Sequence, residues 1–422
     1  MVKKSYFTLN RIAEFFLIAA AFLLSLRTKK FMPIPALHLA DLAAIAAIIF
    51  AALSTELRSF LLTNFRRLSH YLKPLLALLV FIIIGQIFSL WRFGADPFST
   101  AVISDYARLL INLGIFSFTA LMIYRNPKLL KPISTAIVAS FLIVLPVYLY
   151  SNAVIYFSAS RLSGLMENSI IFGAWISVGM VLCFGFVIES TKFWSRAAWS
   201  IWLTMLSAFL WWSGARAAWL SMILAVVLFA LFLWKQREWR KLRIFLFVAL
   251  FVFAVGYFLI GNNQAYNMSQ EQTQSFVKSR AVGLVVTPDT YYENRISEWR
   301  GNASEIYRFP LGFGFVDPKV KDKYPGYVSI FLESLVYGGI FSLIFFVAFL
   351  TRLTKKAAAR LRRKLADKST YLKISWLIAG VVVFVNIMTF NFFLVRVLWF
   401  FLGVLAGMVF HEEPEEKLGI SH

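Results

Sequence analysis

Apolar stretches of about twenty residues, the length a helix needs to cross the hydrocarbon core of a bilayer, recur along nearly the whole chain with short polar punctuation between them. In lipid, every backbone N–H and C=O must find its partner within the protein, so each such stretch is committed to helix. The pattern predicts spans near 11–26, 38–54, 74–94, 106–124, 132–152, 170–190, 198–213, 217–234, 244–262, 327–351, 372–390 and 394–411, about twelve in all. The expected fold class is all-α, a polytopic membrane protein forming a single integral membrane domain over residues 1–422. Composition agrees, because a chain that is 60% hydrophobic and only 15% charged leaves no soluble domain over. The first stretch runs into Arg27, Thr28, Lys29 and Lys30 rather than a small-residue cleavage site, which predicts a retained helix and not a signal peptide.

The formal net charge of +22 would suit a nucleic-acid binder only if the basic residues were gathered on one folded polar surface. They lie instead between the spans, and in alternate connections: Arg58, Arg66, Arg67 and Lys73; Arg125, Lys128 and Lys131; Lys192 and Arg196; Lys235, Arg237, Arg240, Lys241 and Arg243; and the run from Arg352 to Lys373. That alternation is the positive-inside bias, and it predicts both termini in the cytoplasm of a bacterial inner membrane, with no nucleic acid as partner. The patch Arg27-Thr28-Lys29-Lys30 falls on the opposite side. One cysteine, Cys183, excludes an internal disulfide, and four histidines without ligand spacing predict no metal and no haem. There is no Ser-His-Asp order, P-loop or dinucleotide fingerprint, and no Asp-x-Asp that would hold a nucleotide sugar through a metal.

One connection is far longer than the rest. Residues 262–326 form a polar stretch of roughly 65 residues, where a usual loop has only a few. On the predicted topology it is periplasmic and lies over a cavity. Its first part, Asn262 to Gln274, is rich in Asn and Gln, while Tyr291 to Ile306 reads as an amphipathic helix with Ile296, Trp299, Ala303 and Ile306 on adjoining turns. It ends at Pro310, Gly312 and Gly314.

Four arginines lie at or near that same face, where the positive-inside rule supplies no reason for them: Arg161, Arg216, Arg295 and Arg300. A guanidinium keeps its charge and grips phosphate oxygens in pairs, so convergence of three would make a diphosphate site. Taken singly, each could equally be a headgroup contact or a salt bridge. Within the spans, Asp105 and Arg108 stand three apart and can neutralise one another. Glu333 lies about two turns into its span, where a carboxylate is costly and pairing or function would explain it.

The contexts of these arginines together resemble the O-antigen ligase and polymerase superfamily. Arg161-Leu162-Ser163-Gly164, running on to Asn168, looks like that family's Arg-x-x-Gly loop before a helix. Ser213-Gly214-Ala215-Arg216-Ala217 is similar to its Ser-x-x-Arg-[Gly/Ala] turn, and Arg295-Ile296-Ser297-Glu298-Trp299 to its Arg-x-x-x-Trp. Pro310-Leu311-Gly312-Phe313-Gly314-Phe315 is similar to the family's Pro-[Leu/Ile]-x-Gly-x-Gly element. The likeness covers the second half of the chain well and the first third only as generic membrane helix.

The resemblance implies a helical membrane fold of the GT-C kind and transfer of glycan from an undecaprenyl-diphosphate-linked oligosaccharide, with membrane lipids as surroundings and no cofactor. It implies that Arg161, Arg216 and Arg295 steady the leaving diphosphate, with Arg300, Trp299 and Asn168 in the substrate site. Glu333, Glu293, Glu298 or Tyr327 could serve the acceptor hydroxyl, Glu333 first among them. Ligases of the family carry His-Asn-x-Tyr-Leu-Glu after the large loop, and here Val328-Ser329-Ile330-Phe331-Leu332-Glu333 stands in its place. A one-residue slip brings Tyr327 to the position, and His38, His70, His411 and His422 fall elsewhere. The resemblance therefore favours a repeat-unit polymerase over a ligase acting on lipid A-core, with a flippase of polyprenyl-linked sugar as the alternative outside the class. Whether a chain-length regulator protein is a partner is left open by the residues.

Overall fold

The computed structural model describes residues 2–24, 38–143, 157–158, 161–162, 169–261, 300, 310–315, 317, 329–364, 371–388 and 394–410. Among the described residues the chain forms twelve α-helices: α1 (Val2–Leu23), α2 (Leu39–Leu53), α3 (Thr55–Phe93), α4 (Thr100–Arg125), α5 (Leu130–Ser140), α6 (Ser169–Glu189), α7 (Phe193–Ser213), α8 (Arg216–Lys235), α9 (Trp239–Gly261), α10 (Ile330–Lys364), α11 (Tyr371–Ile387) and α12 (Arg396–Phe410). Each coincides with one of the predicted apolar stretches. Among the described residues five helical segments are long and apolar enough to cross a membrane: Tyr71–Phe93, Thr100–Arg125, Ser169–Glu189, Arg216–Lys235 and Ile330–Ala359. A sixth arises if Leu39–Leu53 and Thr55–Phe65, which meet at 100°, count as one broken span, and α11 and α12 are shorter apolar helices.

The departures from the predicted pattern have local causes. Residues 55–73, expected as a basic connection, are the first part of α3. Ser54, in an extended conformation, ends α2 and caps α3 by accepting a hydrogen bond from Leu57 N at 3.3 Å, so the chain turns without a loop. At the far end of the chain α10 runs on to Lys364, past the predicted limit of 351, because Ala, Lys and Arg there are good helix formers once the apolar pattern stops. Among the described residues the regular structure is helical but for β1 (Phe157–Ser158) and β2 (Arg161–Leu162), two residues each, which pair antiparallel with Ser158 opposite Arg161. The predicted span 132–152 is described as helix only to Ser140, with a 3-10 turn over Phe141–Ile143.

Packing follows the rules of helices in lipid. The apolar window of α6 is 94% buried, which makes it the central helix, apolar on every side because it has neighbours on every side. Around it stand α7, α8 and α11. Some polar side chains in this interior find partners at short range: Ser177 Oγ donates to Gly173 O at 2.9 Å, and Trp376 Nε1 donates to Ser134 Oγ at 2.8 Å, tying α11 to α5. On the other side of the molecule α12 lies close along α4. A Cβ on Gly403 would come within 2.7 Å of Phe116 O, and one on Gly407 within 2.4 Å of Ala120 O, so only glycine lets the two backbones approach. A buried ion pair between Asp41 and Arg396 joins α2 to α12, with the second carboxylate oxygen of Asp41 accepting from His38 N at 2.7 Å.

Candidate functional site

Glu333 sits in the first turn of α10 and is 3% exposed. Ser329 opens that helix: its Oγ accepts from Leu332 N at 3.3 Å and its carbonyl from Glu333 N at 2.9 Å. The carboxylate thus lies at the positive end of a helix, where a negative charge is favoured, and Tyr337 one turn on donates its hydroxyl to Glu333 Oε1 at 3.1 Å. A buried carboxylate held this way is fixed in position.

What fixes Tyr337 in turn is a segment the sequence marks only as a glycine motif. α10 breaks at Gly338 (φ −130°, ψ 20°) and Gly339 (φ 67°, ψ −164°), which deprives the carbonyls of the preceding turn of their helical partners. Residues 310–315 lie across the break and replace them. Phe313 N donates to Val336 O at 2.7 Å, Gly314 N donates to Tyr337 O at 2.8 Å, and Ile340 N donates to Pro310 O at 3.1 Å. Inside a membrane protein a helix can be interrupted only where protein groups re-satisfy its backbone, and here a strap from the end of the long loop does so.

The strap also grips α3 and α4. Gln86 Oε1 accepts from Phe315 N at 2.8 Å, Asp317 accepts from Asp96 N at 2.7 Å, and Phe313 stacks on Phe93 with ring centres 5.9 Å apart. Phe315 stands edge-on to both Tyr106 (4.7 Å) and Tyr337 (4.8 Å). Three glycines make this approach possible. Gly312 and Gly314 have φ of 78° and 70°, and a Cβ on either would come within 2.4 Å of Gly339 N or of Gln86 Oε1; one on Gly85 would meet Tyr337 O at 2.5 Å. The Pro-x-Gly-x-Gly motif is thus a fastening that sets α10, and with it Glu333, against α3.

Arg216 belongs to a second, more local arrangement. Gly214 (φ 60°) closes α7, its N–H donating to Trp211 O at 3.2 Å, and Ser213 Oγ donates to Leu210 O at 2.7 Å while accepting from Ala215 N at 3.3 Å. Arg216 is then the first residue of α8 and half-buried. Ala215 at the cap offers no side-chain acceptor to the first-turn N–H groups. A cation at the positive end of a helix is unfavourable by itself, and the combination of guanidinium and helix N-terminus suits an anion placed between them. The turn is pressed against α6 at Gly173, where a Cβ would lie 2.6 Å from Ala215 Cβ and 2.9 Å from Ser213 Oγ. β2, which carries Arg161, contacts both α6 and α7, so the backbone of Arg161 joins the helix group whose end forms this turn.

Glu333 stands on α10, which packs against α3, and Arg216 starts α8, which packs against α6 and α7. α11 packs on both groups, with Asn386 Nδ2 donating to Ser221 Oγ of α8 at 3.0 Å. Arg300 is exposed. Arg295, Glu293, Glu298, Trp299, Tyr327, Val328 and Asn168 lie outside the described residues, as does the predicted amphipathic helix of the long loop apart from Arg300. Asp105 and Arg108 form the expected i,i+3 ion pair at 2.9 Å. The buried pair Asp41–Arg396, within electrostatic reach of Arg108, went unremarked in the sequence although each residue is a charge inside an apolar stretch, a position that calls for a partner.

Residues 201–347 match the family model described as O-antigen ligase, which bears out the resemblance to the O-antigen ligase and polymerase superfamily. The matched interval contains Arg216, Arg295, the strap and Glu333; Arg161 and Asn168 precede it. No curated protein matches the chain.

Proposed function

We propose that this protein is a polysaccharide repeat-unit polymerase of GT-C-like architecture, with about twelve spans and both termini in the cytoplasm of a bacterial inner membrane. It transfers glycan from an undecaprenyl-diphosphate-linked donor to a lipid-linked acceptor at the periplasmic face. The observation that carries the reading is the Ser213–Arg216 turn, which holds a guanidinium at a helix N-terminus against α6. An acceptor sugar hydroxyl attacks the anomeric carbon of the donor, the bond to the diphosphate oxygen breaks, and the lipid diphosphate leaves. Arg216, with Arg161 and Arg295, stabilises the charge that develops on the leaving group, with no metal required. Glu333, buried and held by Tyr337, receives the proton of the attacking hydroxyl.

A second reading has its own support, since the family model matched by residues 201–347 is described as a ligase. Against it stands Val328, which has no polar atom where the ligases of the family carry histidine. Purified protein incubated with lipid-linked repeat units and lipid A-core separates the two: a ladder of lengthening lipid-linked products is expected. A single transfer to lipid A-core with no ladder would establish the ligase instead.

A further inference from the structure

The helices α10, α11 and α12 enclose a groove of about 170 Å³ whose lining, apart from Thr354, is apolar; Leu353, Ala357, Gly380, Phe384 and Leu405 are among its walls. It is open along one side, because Thr354 and Ala358 are exposed and Phe384 is 40% exposed. Thr354 and Ala358 fall within the candidate span Ile330–Ala359, where an apolar opening faces lipid, and a lipid chain is what can fill it. The charge around it selects the headgroup. Arg352 and Lys355, both exposed, flank the lining positions Leu353 and Thr354, and from Arg352 to Lys364 the chain carries seven Lys or Arg and no Asp or Glu.

We propose that this groove is a binding site for an anionic phospholipid, one acyl chain lying between α10, α11 and α12 and the phosphate held by Arg352 and Lys355. The donor lipid of the proposed reaction is a poorer fit. In the proposed reaction its diphosphate lies at the Arg216 end, and the groove's first lining residue, Leu350, stands 11 residues beyond the break at Gly339, roughly 16 Å at the rise of a helix, on the far side of that break from Glu333. The basic end of α10 therefore serves a headgroup at the end remote from Glu333, and the site stands whatever glycan chemistry the protein performs. Clustered Lys and Arg at a helix end between membrane segments are the usual means of recognising acidic headgroups.

The test uses the full chain, purified in detergent, stripped of lipid, and offered phosphatidylglycerol or phosphatidylcholine with identical acyl chains. Retained lipid is counted by native mass spectrometry, and thermal unfolding is followed in parallel. Phosphatidylglycerol should be retained preferentially and should raise the Tm, and the double variant Arg352→Glu with Lys355→Glu should reduce its retention by about tenfold. Ala358→Trp, which fills the groove from its exposed side, should abolish retention of either lipid while leaving the chain folded. Equal retention of the two lipids by the unaltered protein would overturn the proposal without recourse to any variant. Retention that survives Ala358→Trp would place the headgroup on a bare basic surface and remove the groove from the account. Displacement of phosphatidylglycerol by equimolar undecaprenyl phosphate would assign the groove to the donor lipid instead.

Discussion

The turn at Ser213–Arg216 and the strap at Pro310–Phe315 both depend on glycine in the left-handed region, but they are built on different scales. The turn is made almost wholly by its own residues: Gly214 closes α7, Ser213 bonds the backbone on either side, and Arg216 follows at once as the start of α8. The strap has little internal structure. Its N–H groups go to α10 and to Gln86 of α3, and its rings to Phe93, Tyr106 and Tyr337. A local device carries the charge, and a device assembled from distant segments carries the alignment. Damage to the first should therefore read out mainly in chemistry, and damage to the second mainly in folding.

The sharpest way to break that contrast is Gly339→Ala. The new Cβ would lie 1.9 Å from Pro310 O at a φ of 67°, so the strap must leave the break or α10 must rebuild. Overpacking and left-handed strain together should cost about 3 kcal/mol or more, seen as loss of monodisperse protein and a lowered Tm. Normal yield with normal Tm would mean that the strap is not what completes α10. Next in size, Arg216→Lys keeps the charge at this half-buried position and should change the Tm far less than Gly339→Ala does, yet lower polymerisation by about a hundredfold, since a lysine cannot make the paired contact with a diphosphate. Parallel loss of activity and Tm would show that Arg216 is a structural cation and would erase the division between the two regions.

Tyr337→Phe sharpens the comparison from the strap's side. It removes one hydrogen bond to a buried carboxylate and should lower stability by about 1.5–3 kcal/mol, with activity falling by more than the folded fraction because Glu333 loses its positioning partner. Activity that tracks the folded fraction alone would take Glu333 out of the reaction. The smallest effect is expected for Gly214→Ala, where the strain of a left-handed alanine, about 1 kcal/mol, is confined to one turn. A Tm drop as large as that of Gly339→Ala would mean that the turn too depends on distant packing.

Sequence pattern located the helices well, because hydrophobic length is a one-dimensional property: each of the twelve helices lies on a predicted apolar stretch. It located the Arg216 turn equally well, since Ser-Gly-Ala before a helix is a local signal. It read Pro310, Gly312 and Gly314 as the end of a loop and could not say what the glycines were for, because their necessity comes from Gln86 and Gly339, which no spacing connects to them. The extension of α3 back to Thr55 was hidden for a different reason: a charged segment is read as a connection, although Arg, Leu and Glu support helix as readily as a loop. The pair Asp41–Arg396 was available to inspection as two intramembrane charges, but which charge answers which is a property of the packed helices.

The strap across α10 also sets a timetable for assembly. Translation delivers α3 first, the strap much later and α10 after that, so the strap reaches its receiving surface on α3 before the helix whose break it must complete exists. When α10 is made, the carbonyls of Val336 and Tyr337 find their donors only if the strap is already seated, and without it α10 cannot settle in lipid as an interrupted helix. The last part of the membrane domain is thereby made to wait for the first. A chain whose strap is misplaced when α10 is made leaves that helix with an open break.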